Sequence, residues 1–190
     1  MSGRPPMTLN AAPLILPAVP LTEAGFAPFG SVAAAGTGRA TSVNDGRGVR
    51  YDAGHGLGCT GGGMGGGTGG PLPPVLSIYR IAPSRLPFAV EAMERHPFSS
   101  QTFVPMTGGR YLVVAAPADA SGAPDPAGAR AYAAGPGQAI TYAAGVWHCP
   151  LAALGEAADF AMMMWQAPDP GDDCRIARLS VPLLVTDPAA

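Results

Sequence analysis

The apolar residues of this chain come in short runs, and turn formers stand between them. VLSIYRI (75–81), TFVPM (102–106), YLVVAA (111–116), QAITY (138–142), HCPLAAL (148–154) and DFAMMMW (159–165) follow one another at intervals of about 10 to 20 residues. Gly108-Gly109 and Pro136-Gly137 punctuate them. No run is long enough for a buried helix, so the rhythm predicts an all-β sandwich or barrel with few short helices. LILPAVPLT (14–22) reads as an edge strand, where proline need not donate to a ladder. Thr22 is placed to cap one short helical turn before Pro28 and Gly30 stop it. CRIARLS (174–180) is the other helix candidate.

Gly (27) and Pro (22) make up about a quarter of the 190 residues, near the level of low-complexity chains. Yet 47% of residues are apolar and only 13% charged, so a packed core is expected. One domain over 13–190 is predicted, behind a disordered leader over 1–12. The run 54–70 is mostly glycine and reads as a flexible loop insertion, with His55 on the surface. It lacks the spacing and terminal Lys of a phosphate-binding loop, so no nucleotide cofactor is expected. The net charge of -2 argues against a nucleic-acid partner. All 11 basic residues are Arg, which excludes lysine nucleophiles and Schiff-base chemistry. Three cysteines (Cys59, Cys149, Cys174) without a CxxC spacing point to a reducing, cytoplasmic compartment. No stretch has the length of a membrane span, and prolines break the apolar N-terminal stretch before it could serve as a signal peptide.

Two stretches carry candidate chemistry. In the first, Glu94 and His96 stand two apart, which puts them on one face of a strand. Gln101 follows after four residues and Gly108 after six more. In the second, Gly137, Ala143, Gly145 and His148 are separated by five, one and two residues. These spacings resemble the two motifs of the cupins, with Glu for the first His and Gln for the Glu. The resemblance implies a double-stranded β-helix, the jelly-roll barrel. A barrel that points alternate side chains inward would bring Glu94, His96, Gln101 and His148 together. Such a nitrogen and oxygen set suits a divalent ion with open positions, or a polar pocket without one.

Within the cupins, SIYRIAPSRLPFAVEAMERHPFSSQTFVPM and QAITYAAGVWHCPL resemble the ureidoglycolate lyase family, once called ureidoglycolate hydrolase. The ERHP…Q…F-x-P block together with VWH carries the likeness, and ADF and DDC near the end resemble the family's D-F and D-N-C. The resemblance implies a cytoplasmic homodimer of allantoin degradation in purine metabolism. It implies cleavage of the C–N bond of ureidoglycolate to glyoxylate and urea, in some members with a divalent metal such as nickel. His96, His148 and Glu94 would be catalytic or metal-binding, with Gln101 orienting substrate or metal. Arg80, with Ser77 beside it, would clamp the carboxylate. Tyr142 and Trp147 would wall the pocket, and Arg50 would cap it.

The chain departs from the family at Ala143 and Ala144 after Tyr142, where Tyr-His-Arg is usual, at Cys149, usually His, and at Met164-Trp165, usually Asp-Arg. Cys149 reads as an inert core thiol, because neighbours on a strand face opposite ways and no Cys–His pair can form with His148. The losses keep two alternatives open: a cupin enzyme of another pathway with a less polar substrate, and a non-catalytic carboxylate-binding cupin.

Overall fold

The computed structural model describes residues 12–52, 57–59, 73–166, 171 and 173–187. Residues 1–11, His55 and nearly all of the glycine run lie outside the described residues. The fold is all-β, with one four-residue α-helix and one 3-10 turn among the described residues.

Six strands close into a ring. β1 (Leu14–Pro20), β15 (Arg175–Thr186), β7 (Phe88–Arg95), β12 (Trp147–His148), β9 (Tyr111–Ala116) and β10 (Arg130–Ala134) each pair with the next, and β10 returns to β1. A second sheet runs in the order β2 (Gly30–Ala33), β11 (Ala139–Tyr142), β8 (Gln101–Pro105), β14 (Ala158–Trp165), β5 (Pro74–Ile81). β13 (Ala152–Leu154) pairs with β9 and with the short β6 (Pro83–Ser84), and β3 (Arg39–Val43) and β4 (Gly48–Asp52) form a separate hairpin. This is the cupin-like jelly roll expected from the sequence.

β9 organises the packing, because all six of its residues are buried. Tyr111, Val113 and Ala115 share a core with Phe103, Ile140 and Phe160 of the second sheet. Leu112, Val114 and Ala116 point the other way, into a core with Val90, Leu183 and Val185 of the ring. A strand buried on both faces must be apolar at every position, and YLVVAA is. β14 alternates instead: Ala158, Phe160, Met162 and Met164 are buried and their neighbours half-exposed. The helical turn α1 (Glu23–Phe26) forms where Thr22 was placed to cap it, the Thr22 hydroxyl accepting the Gly25 N–H at 3.1 Å. Its Phe26 is fully buried against Tyr132 and Tyr142.

Two expectations are corrected. CRIARLS is not helical: from Arg175 it belongs to β15, paired with β7 and β1. Ile176 and Leu179 stand three apart and imitate a helical face, but a register shift between Arg178 and Leu183 resets the strand's alternation. Nor is β1 an edge strand. Its first half pairs with β15 and its second half with β10. Each half leaves one side without a ladder partner, and that tolerates Pro17 and Pro20. The run 148–154 also splits, into the end of β12 and β13.

Candidate active site

The two candidate stretches meet where the ring faces the second sheet. β12 is only two residues long, and its one pair with β7 sets His148 opposite Glu94. His96 follows β7 directly, and its ring centre lies 5.6 Å from that of His148. Gln101 opens β8, and its Oε1 is 3.1 Å from His148 Nε2. Glu94 Oε1 stands 3.6 Å from the same nitrogen, an ion-pair distance. A ligand atom from each of Glu94, His96 and His148 lies within 4.8 Å of the others.

Second contacts fix the rings. Val146 O lies 3.0 Å from His148 Nδ1, and Asp173 O lies 2.7 Å from His96 Nδ1. A carbonyl only accepts, so the neutral His96 ring carries its proton on Nδ1 and turns a bare Nε2 inward, whereas His148 has an acceptor at each nitrogen, Val146 O at Nδ1 and Gln101 Oε1 at Nε2. His96 Nε2 is buried without a hydrogen-bond partner. Tyr142 stacks on His148, with centroids 4.1 Å apart and planes 14° from parallel. Gly145 N–H donates to the His96 backbone carbonyl at 2.7 Å, so one loop before β12 meets the His148 ring through Val146 and the His96 backbone through Gly145.

The charges follow from this packing. The contact with His148 holds the Glu94 carboxyl below its ordinary range, against the pull of burial. Burial lowers His96, so the ring stays neutral and its lone pair available. Burial pushes the Cys149 thiol up to about 12, so at neutral pH it is neither nucleophile nor thiolate ligand. The unpartnered His96 Nε2, His148 Nε2, a carboxylate and the Gln101 oxygen converge on one point. Imidazole nitrogens with carboxylate and amide oxygens are the ligand types that suit a borderline divalent cation.

A cavity of about 440 Å³ opens beside the cluster. Glu94 and Gln101 reach it from within, Tyr79, Phe103 and Leu151 form its apolar wall, and Arg80 stands on its rim. Arg80 holds Asp159 through Nε at 2.8 Å and Nη2 at 2.9 Å. The other expected binding residues lie elsewhere. Ser77 is on β5 opposite Met162 and does not line the cavity. Arg50 is exposed on the β3–β4 hairpin, paired with Asp52. Tyr142 backs His148 from the buried side. Trp147 faces the ring core, under the Arg95 guanidinium at 4.6 Å, and donates to Gly122 O.

Sequence reasoning missed Asp173, which touches His96; its one signal was the DDC triplet. It also missed the Met164 sulfur, which receives the Gln101 amide at 3.7 Å.

The profile of the ureidoglycolate lyase family matches residues 13–186. The chain belongs to this family. The ureidoglycolate lyase of Burkholderia mallei (strain NCTC 10229) is 40% identical over 148 residues, covering 76% of this chain and 78% of that protein. The ureidoglycolate lyase of Burkholderia cepacia is 38% identical over 158 residues, covering 80% and 81%. That of Rhizobium etli (strain CIAT 652) is 33% identical over 171 residues, covering 90% and 95%. Membership in the ureidoglycolate lyase family thus spans the ring, the second sheet and the cluster between them.

Proposed function

We propose that the protein is a C–N lyase that cleaves ureidoglycolate to glyoxylate and urea in allantoin degradation. The observation that carries this reading is the buried, unpartnered Nε2 of His96 facing Glu94 and His148. Relatives named for this activity over most of the chain support it over another pathway or a non-catalytic role.

The reaction needs little. Ureidoglycolate is a hemiaminal beside a carboxylate. His96 Nε2 takes the hydroxyl proton, the oxygen's electrons form the aldehyde C=O, and the C–N pair leaves with the nitrogen. The proton on His96 then goes to that nitrogen and releases urea. Arg80 on the rim meets the substrate carboxylate, while Asp159 keeps the guanidinium extended. Gln101 orients the hydroxyl or the ureido group beside His148, and Tyr142 keeps the His148 ring in plane.

A second reading rests on the convergence of acceptors. Glu94, His96 and His148, with Gln101 Oε1, would hold a divalent ion such as nickel, which when bound supplies acidity to the hydroxyl. The test is to follow glyoxylate and urea from ureidoglycolate before and after chelation. Chelation is expected to lower turnover without abolishing it, and nickel to restore it. Full activity after chelation removes the ion from the reading; no urea under any condition removes the lyase.

A cytoplasmic homodimer is part of the same proposal. No disulfide joins Cys59, Cys149 or Cys174 among the described residues, and no helix among those residues is long and apolar enough to cross a membrane. The outer face of the second sheet is apolar: Ile78, Ala161 and Val104 align across three strands, with Leu76 and Met163 alongside. Leu76 is 68% exposed, Ile78 58% and Val104 39%. A contiguous apolar face of this kind suits self-association. Leu76→Lys with Ile78→Lys should convert a dimer to a monomer by light scattering; a monomeric parent protein would remove this face from the proposal.

A further inference from the structure

We infer that Asp173 is a positioning residue, which fixes the ring orientation and proton position of His96 from the segment entering β15. This rests on the reading of His96 given above. Two of the contacts that Asp173 makes with residues 96–99 frame His96. Its carbonyl accepts His96 Nδ1–H at 2.7 Å, and its Oδ1 accepts the Phe98 N–H at 2.8 Å. The two contacts bracket the turn that carries His96 off the end of β7. Pinning the backbone at Phe98 holds the carbonyl in line with the ring, and the carbonyl in turn keeps the proton on Nδ1.

The placement is costly enough to call for a reason. Asp173 is 2% exposed and its Oδ2 is buried without a hydrogen-bond partner. A buried carboxylate with one idle oxygen is unfavourable unless its other atoms do something that an apolar residue cannot. Here Oδ1 supplies an acceptor that no apolar side chain offers. His96 itself is 8% exposed, and among the described residues nothing else bonds Nδ1. Without the Phe98 contact the carbonyl is free to swing, and the ring proton can move to Nε2, where it would block the inward lone pair.

The test separates position from catalysis. Asp173→Asn keeps an oxygen for Phe98 and supplies an amide in place of the idle oxygen; Asp173→Ala removes the contact. In Asp173→Ala, kcat should fall more than about tenfold with KM within about threefold, and Asp173→Asn should retain at least about a third of the parent kcat. Long-range proton–nitrogen spectra should show His96 with its proton on Nδ1 in the parent and in Asp173→Asn, and a mixture in Asp173→Ala. A parent spectrum with the proton on Nε2 overturns the inference whether or not any variant folds. So does an unchanged spectrum in Asp173→Ala. A changed spectrum with unchanged kcat leaves the positioning in place and overturns the catalytic reading of His96 instead.

Discussion

Replacing His148 with Ala is expected to lower kcat on ureidoglycolate by about 10²-fold, the scale of losing a group that holds Glu94 and Gln101 in place around the reacting atoms. The ring does three things at once. It opposes Glu94 across the β7–β12 pair, meets Gln101 through Nε2, and lies flat on Tyr142. Removing it leaves the Glu94 carboxylate and the Gln101 oxygen facing each other with nothing between them. The ring core is untouched, because Trp147, its neighbour, faces the other way. The melting transition should therefore remain cooperative and fall by only a few degrees. Steady-state kinetics beside a thermal melt decide the matter. A variant within tenfold of the parent would take His148 out of the site; a lost transition would make its role structural.

The largest effect on stability is expected at Gly30. It opens β2 with a φ of +154, opposite Tyr142 in β11. A Cβ there would overlap the Thr141 carbonyl oxygen, part of the sheet backbone, which cannot move aside. Gly30→Ala should cost about 3–5 kcal/mol and lower the melting temperature by about 10 °C. Gly36→Ala is the control: its φ is +87, but a Cβ meets nothing within 4 Å. It should cost about 1–2 kcal/mol, the conformational term alone. Equal losses in the two variants would show that the overlap at Gly30 is relieved.

Much of the fold was legible because its strands obey simple patterns. YLVVAA is apolar throughout and became the strand buried on both faces. DFAMMMW marked β14 to within one residue. Where a pattern is interrupted, legibility ends. β7 buries Val90 and then Met93, so its alternation slips midway, opposite the register shift in β15. Neither strand keeps a clean period of two, and the β15 segment passed for a helix. The cluster was legible through spacing, since Glu94, His96, Gln101 and His148 sit at cupin intervals. Its supports were not. Val146 and Asp173 act on the rings through backbone carbonyls, which no side-chain pattern records. Arg80 was legible as a cation near the pocket, but its partner Asp159 lies 79 residues away along the chain.

The double burial of Tyr111–Ala116 has a consequence for how the molecule comes apart. One strand is the common wall of both hydrophobic interiors, and its two edges are taken by β10 on one side and by β12 and β13 on the other. Neither interior can melt alone without exposing the other. Amide protons along this strand exchange with solvent only through global opening. The imidazole at 148, paired to the same strand at Ala115, is lost in that single event and not by gradual fraying.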